Sequence, residues 1–184
     1  MFGVYWYLNP TSNIEPIVVI LTLILLAIEW YKRAGLKKRT DKIISNSDRI
    51  LFQNFLADFP SNSNSISLLK SHNFGASYHQ DDTDEIDIFL ENWNSAEKKF
   101  RDVELESKRK DLWGKCNQFI NELYGTSYSL NGGPRYSCIP DAYRGKGFLP
   151  EDIENHIKHL NEISTECYQI HQELISLGKE KLDL

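Results

Sequence analysis

The sequence is poor in the residue patterns that announce chemistry. Cysteine occurs three times in 184 residues, at Cys116, Cys138 and Cys167, and never as C-x-x-C. That excludes a disulfide scaffold. No G-x-x-x-x-G-K-[ST] phosphate loop is present, although Gly132-Gly133-Pro134-Arg135 and Arg144-Gly145-Lys146-Gly147 hint at anion contact. There is no Ser-His-Asp order signal and no nucleophile elbow. Positive charge is not in excess: 21 Lys and Arg face 26 Asp and Glu, a net charge of −5. An overall-basic nucleic-acid binder is therefore excluded as a class. Basic residues are absent altogether before Lys32.

What the chain does have is one concentrated apolar run. Eleven of the twelve residues Ile17 to Ile28 are apolar, the exception being Thr22. Twelve helical residues rise only ~18 Å, short of a hydrocarbon core of ~30 Å. The eighteen residues Ile14 to Tyr31 rise ~27 Å, which is enough. This extension brings Glu15 and Glu29 into the helix ends. Phe2, Tyr5, Trp6 and Tyr7 precede the run, and Trp30 and Tyr31 close it, as amphipathic rings do at membrane interfaces. Lys32, Arg33, Lys37, Lys38, Arg39 and Lys42 follow within eleven residues. The positive-inside rule then predicts the N-terminus outside and the long C-terminal part in the cytoplasm. A buried core helix of a soluble protein is the alternative reading of the run. A cleaved signal peptide fits poorly, because the basic n-region and an A-x-A site are missing.

Glu15, Thr22 and Glu29 are spaced seven and seven. On a helix they drift only ~20° per heptad and form a polar stripe. Ionisable residues in a spanning segment usually face a bundle interior or a watery path. One helix cannot make an interior, so the stripe predicts self-association. In a ring, Thr22 would face the lumen and Glu29 would form an acidic, cation-favouring mouth. The competing reading leaves both Glu side chains among headgroups.

Residues 43–184 keep 15 of the Lys and Arg and 23 of the Asp and Glu, a net charge of −8. No direct DNA binding is expected of such a surface. Helical patterns dominate it. Ser47 is a candidate cap for a helix through Phe59, followed by a short helix at Ile66 to Ser71 and a turn at Asn73-Phe74-Gly75. Asp82 with Glu85 reads as a capping box opening a helix to Trp93. Ser95 is a candidate cap for a long helix through Tyr124. Gly125 to Pro150 reads as an irregular connection. In the last helix Ile153, His156, Leu160, Ile163, Cys167, Ile170, Leu174 and Leu177 alternate three and four apart. That seam is expected to pair antiparallel with the Ser95 to Tyr124 helix of the same chain, more than with a second protomer.

The predicted architecture is all-α. It has an extracytoplasmic tip at 1–13, a transmembrane helix at 14–31, a basic juxtamembrane segment at 32–46 and a cytoplasmic helical bundle at 47–184. His156 and His159 are close enough to share a metal, but a third clear ligand is wanting, so no metal and no cofactor is predicted.

Several phrases resemble the small accessory membrane proteins of type VI-B CRISPR loci, which accompany an RNA-guided RNA-cleaving effector. They are SNIEPIVVILTLILLAIEWYKR, DRILFQNFLADFPS, LLKSHNFGASY and HLNEISTECYQIHQELISLGKEKL. The same phrases recur in uncharacterised bacterial proteins of similar size. The resemblance implies a HEPN-like helical domain on one inner-membrane helix, and enhancement of antiviral interference by membrane permeabilisation. It makes a ring-like homo-oligomer and membrane lipid the expected partners, with a functional link to the effector. A HEPN nuclease would want Arg four to six residues before His, and no Arg here has that spacing. Asn73 before His79 is a degenerate substitute lacking the fixed cation that phosphoryl chemistry needs. Asn73, His79 and His159 are therefore minority catalytic candidates, and a passive membrane adaptor is a further alternative.

Overall fold

A computed structural model describes the backbone of residues 14–184 and the side chains of 18–36 and 46–184. The chain divides into two units, Met1–Ile44 and Ser45–Leu184. It is mostly helical, as the sequence predicts.

Helix α1 is Ile14–Asp58. Ser47 lies inside it and does not cap it. Between Tyr31 and Ser47 the only residue that disfavours helix strongly is Gly35, which is tolerated in a helix interior at a cost of about 1 kcal/mol.

In the first unit, every described side chain from 18 to 36 is exposed. Val18, Val19, Ile20 and Leu21 are consecutive, so they point to all sides of the helix, and they are 54–58% exposed.

The second unit is built on aromatic packing. Phe52, Phe55 and Phe59 of α1 are fully buried. Phe55 meets Phe89 and Trp93 edge-on, with ring centroids 5.8 and 5.4 Å apart. Such edge-to-face pairs add to the burial of the rings themselves. Helix α2, Asn64–Ser71, is capped by Ser63, whose Oγ accepts from Ile66 N at 3.2 Å. Asn73 then makes the expected turn, its Oδ1 accepting from Gly75 N at 2.9 Å.

Strand β1 is Tyr78–His79, and a 3-10 turn over Gln80–Thr83 leads into α3, Asp84–Asn92. The expected box at Asp82 and Glu85 is corrected here. His79 caps the 3-10 turn, and the Asp82 carboxylate reaches back to His79 N at 2.8 Å. Glu85 instead accepts from Ser65 Oγ at 2.8 Å, joining the starts of α2 and α3.

A second correction concerns α4, Val103–Thr126. Ser95 opens only a 3-10 turn over Ala96–Lys98, and Asp102 caps α4 by accepting from Glu104 N and Leu105 N at 3.0 Å. Between the two, the Phe100 ring is buried, 4% exposed, and Arg101 N and Asp102 N donate to the Asp48 carboxylate instead of to a preceding helical turn.

The stretch after α4 contains β2, Tyr128–Ser129, and β3, Arg135–Ser137. They form an antiparallel sheet in the order β1-β3-β2. Tyr136 opposes Tyr78 on one side and Ser129 on the other.

Helix α5, Glu151–Leu182, completes the bundle. Lys108–Glu173, Lys115–Glu166 and His159–Glu122 pair at 2.7, 2.7 and 3.2 Å. Each pair lies seven residues up α4 and seven down α5 from the last, so the two helices run antiparallel within one chain. Leu160, Ile163, Cys167 and Leu174 are buried on this seam.

Candidate functional site

Two places concentrate the features that could act: the exposed apolar part of α1, and a tyrosine-lined cavity in the helical unit.

On α1, Trp30 and Tyr31 are 72% and 77% exposed. Thr22 Oγ1 donates to Val18 O at 2.8 Å, one turn back. The single polar side chain of the apolar run is thus satisfied within its own helix. Glu29 lies 3.7 Å from Arg33, a solvent-exposed i,i+4 pair. Lys32 continues the basic stretch beside it. Trp6 and Tyr7 lie outside the described residues, and Glu15, Lys37, Lys38 and Arg39 lie on α1 with side chains outside those described. Among the described residues no helix is long and apolar enough to cross a membrane. The predicted span of Ile14 to Tyr31 includes four residues, 14–17, whose side chains are outside that set.

The three minority catalytic candidates have separate structural partners. Asn73 holds the turn into Phe74, and its Oδ1 also lies 3.4 Å from Asn161 Nδ2. His79 Nδ1 accepts from Asp81 N at 3.3 Å as a cap. His159 faces Glu122 between α4 and α5. No hydrogen bond or ion pair joins any two of the three. His156 Nε2 lies 2.8 Å from Thr126 Oγ1. Among the described residues, no group of three or more His, Cys, Asp or Glu side chains could hold a metal ion.

The cysteines behave as core residues. Cys116 and Cys167 are fully buried, and burial, then the neighbouring Cys167 thiol, pushes the Cys116 thiol well up. Cys138 is 4% exposed, and burial raises its thiol too, against a 3.7 Å contact with Ser127 Oγ. A thiol held protonated is a poor nucleophile.

The cavity was not anticipated from the sequence. It has a volume of about 370 Å³ and is lined by Tyr78, Gln80, Asp87, Tyr124, Ser127 and Tyr136. Sheet pairing stacks the Tyr78 and Tyr136 rings at 6.0 Å and 28°. Tyr78 Oη donates to Ser127 Oγ at 2.9 Å, tying β1 to the end of α4. Tyr124 Oη donates to Asp87 Oδ2 at 2.5 Å, tying α4 to α3. Thr83 Oγ1 sits 2.8 Å from the same phenol. Gln80 N donates to Pro134 O at 2.8 Å and holds the rim against the β2–β3 turn.

Burial pushes the Tyr78 phenol up to about 12, against the Ser127 hydrogen bond. Tyr124 is raised as well, by burial and then by its bond to Asp87. Asp87 is raised by burial, which outweighs the Tyr124 hydrogen bond. The phenols are therefore neutral donors at physiological pH. The only sequence signal for this site was the tyrosine-rich texture from Tyr124 to Tyr136. Nothing local says that β1, some 50 residues earlier, supplies the opposite wall.

No protein-family model matches the chain, and no curated protein or solved structure matches it either.

Proposed function

We propose that the chain is a single-pass inner-membrane protein of bacteria, with the N-terminus outside and a HEPN-like helical unit in the cytoplasm. We further propose that its membrane helices associate into a ring that permeabilises the membrane. In the setting that the sequence resemblance implies, this activity accompanies an RNA-targeting antiviral effector.

One observation carries the membrane reading. Val18 to Ile28 expose apolar side chains on all sides of α1, and the largest of them are 45–63% exposed. A helix apolar all round needs an apolar environment on every side. The basic residues that begin at Lys32 supply the polar boundary that a bilayer would want there. Ring assembly rests on the heptad spacing of Glu15, Thr22 and Glu29, since one span lines an aqueous path only as an oligomer.

The adaptor reading has an observation in its favour. Thr22 and Glu29 each find a partner on their own helix, at Val18 O and Arg33, so neither demands a second helix. A nuclease reading has less, because Asn73, His79 and His159 serve as turn, cap and ion-pair groups.

The test uses the full chain in bacterial membranes and in proteoliposomes. Expected results are retention in the membrane after alkaline carbonate extraction, an oligomer in several detergents, and ion flux that changes in Thr22→Leu and Glu29→Gln. Release by carbonate would overturn the membrane reading. A monomer without ion flux that stays in the membrane would leave the anchor and overturn the pore.

A further inference from the structure

We infer that the tyrosine-lined cavity is a binding site for a protonated primary amine. This inference is independent of the membrane reading, because every lining residue lies within the helical unit.

Its volume of about 370 Å³ is within the range of small-molecule sites. Its lining contains no Lys, Arg or His, and its one formal charge is Asp87. Among the described residues no salt bridge reaches Asp87, and the charged groups that act on it, Asp84 and Glu91, are of the same sign. An anionic ligand would be repelled there. An apolar ligand would strip water from Gln80, Ser127 and Asp87 without replacing it.

A cation answers both objections. It meets the Asp87 carboxylate, and its charge sits well against the faces of tyrosine rings. Three such rings line the cavity, two of them stacked as a cross-strand pair. The polar rim distinguishes between cations. Gln80, Ser127 and Asp87 offer oxygen acceptors, which an ammonium with N–H groups can use and a quaternary ammonium cannot. The walls are held before any ligand arrives, since Tyr78–Ser127 and Tyr124–Asp87 hydrogen bonds join β1, α3 and α4 around the space. Preorganisation of that kind lowers the cost of binding.

The experiment titrates full-length protein in detergent with butane-1,4-diamine and, separately, with tetramethylammonium chloride, at fixed ionic strength, read by calorimetry. The diamine is expected to saturate at one per chain, in the millimolar range or tighter. Tetramethylammonium is expected to bind at least ~10-fold more weakly, because it forms no charge-assisted hydrogen bond. Asp87→Asn keeps an oxygen for Tyr124 and should weaken the diamine by ~10-fold or more. Tyr136→Leu removes one ring face and should weaken it by ~3- to 10-fold, which keeps the test alive if Asp87→Asn misfolds. The inference is overturned if the wild type takes up no diamine saturably, if tetramethylammonium binds as tightly, or if folded Asp87→Asn retains full affinity.

Discussion

The Asp48 carboxylate accepts two backbone hydrogen bonds across the fold, from Arg101 N at 2.9 Å and from Asp102 N at 2.8 Å. Asp48 is 1% exposed, so no water stands ready to replace it. Asp102, fixed in this way, caps α4 and receives Lys181 Nζ at 2.9 Å on both oxygens. One buried carboxylate thus positions the residue on which α4 begins and to which the end of α5 is tied.

Asp48→Ala should therefore destabilise the helical unit by about 1–3 kcal/mol, leaving two partly covered donors without their acceptor. Asp48→Asn retains one acceptor oxygen and should lose about half as much. Denaturant midpoints of the full-length variants in detergent measure both. A loss below that of an exposed carboxylate would show that water reaches the two amides.

Gly178 tests propensity against packing. A Cβ there would lie 2.1 Å from Cε2 and 2.3 Å from Cζ of Phe52, a ring with no exposed surface. Helix propensity alone favours Gly178→Ala by about 1 kcal/mol. Overpacking opposes it by about 1–3 kcal/mol or more, and the overlap is deep enough for packing to prevail. Gly178→Ala is expected to destabilise, and adding Phe52→Leu should recover part of the loss. An additive double mutant would rule out the steric account.

Arg109 is the buried cation of the helical unit, 4% exposed. It pairs with Glu106 at 2.8 Å and donates from Nη1 to Trp93 O at 2.6 Å. Arg109→Met should cost about 3–5 kcal/mol, because Glu106 is left charged and largely covered. Pairing it with Glu106→Gln should be milder than the single change. Equal losses in single and double variants would show that the Trp93 carbonyl, not the ion pair, carries the effect.

His171 gives the stability a pH dependence. It is fully buried between Phe55 and Phe59, with Nε2 donating to Phe59 O at 3.0 Å and Nδ1 accepting from Gln172 at 3.1 Å. Burial lowers its pKa below the ordinary 6.5, against the Phe59 hydrogen bond. His72 is lowered as well, by burial. The unfolded chain then binds these protons first, so the stabilisation is complete above 6.5 and declines as the pH falls below it. Denaturant midpoints between about pH 7.5 and 5, above the carboxylate range, should show this slope. His171→Gln should flatten it. An unchanged slope in that variant would assign the effect to His72.

Much of this fold could be read from apolar spacing. The α5 seam and its pairing with α4 follow from residues three and four apart, because a small domain needs that face for its own core. Cap chemistry was less legible. Ser47, Asp82 and Ser95 all have the right side chain for a cap, but Ser47 lies inside α1, Asp82 turns back to His79 N, and Ser95 opens only a 3-10 turn. Asp48 claims the backbone at Arg101 and Asp102, and Glu85 claims Ser65. The cavity was least legible of all. Its walls come from Tyr78, Asp87, Tyr124 and Tyr136: pairing of β1 with β3 brings the first to the last, and the meeting of α3 with α4 brings Asp87 to Tyr124. Two- and three-residue strands carry too little alternation to be seen in a helical sequence.

The seven-residue ladder of pairs between α4 and α5 has a consequence for how this chain can vary. Each exposed pair contributes little by itself. Together they mark a register that every buried residue of both helices shares. Deleting one residue from either helix ahead of its cysteine would turn all that follows by about 100° and bring Asn117 or Tyr168 to where Cys116 and Cys167 now meet. Length changes should therefore be confined to residues 127–150, where the chain turns back between the two helices. Within that stretch, they should spare Ser127 and Tyr136, which the cavity needs.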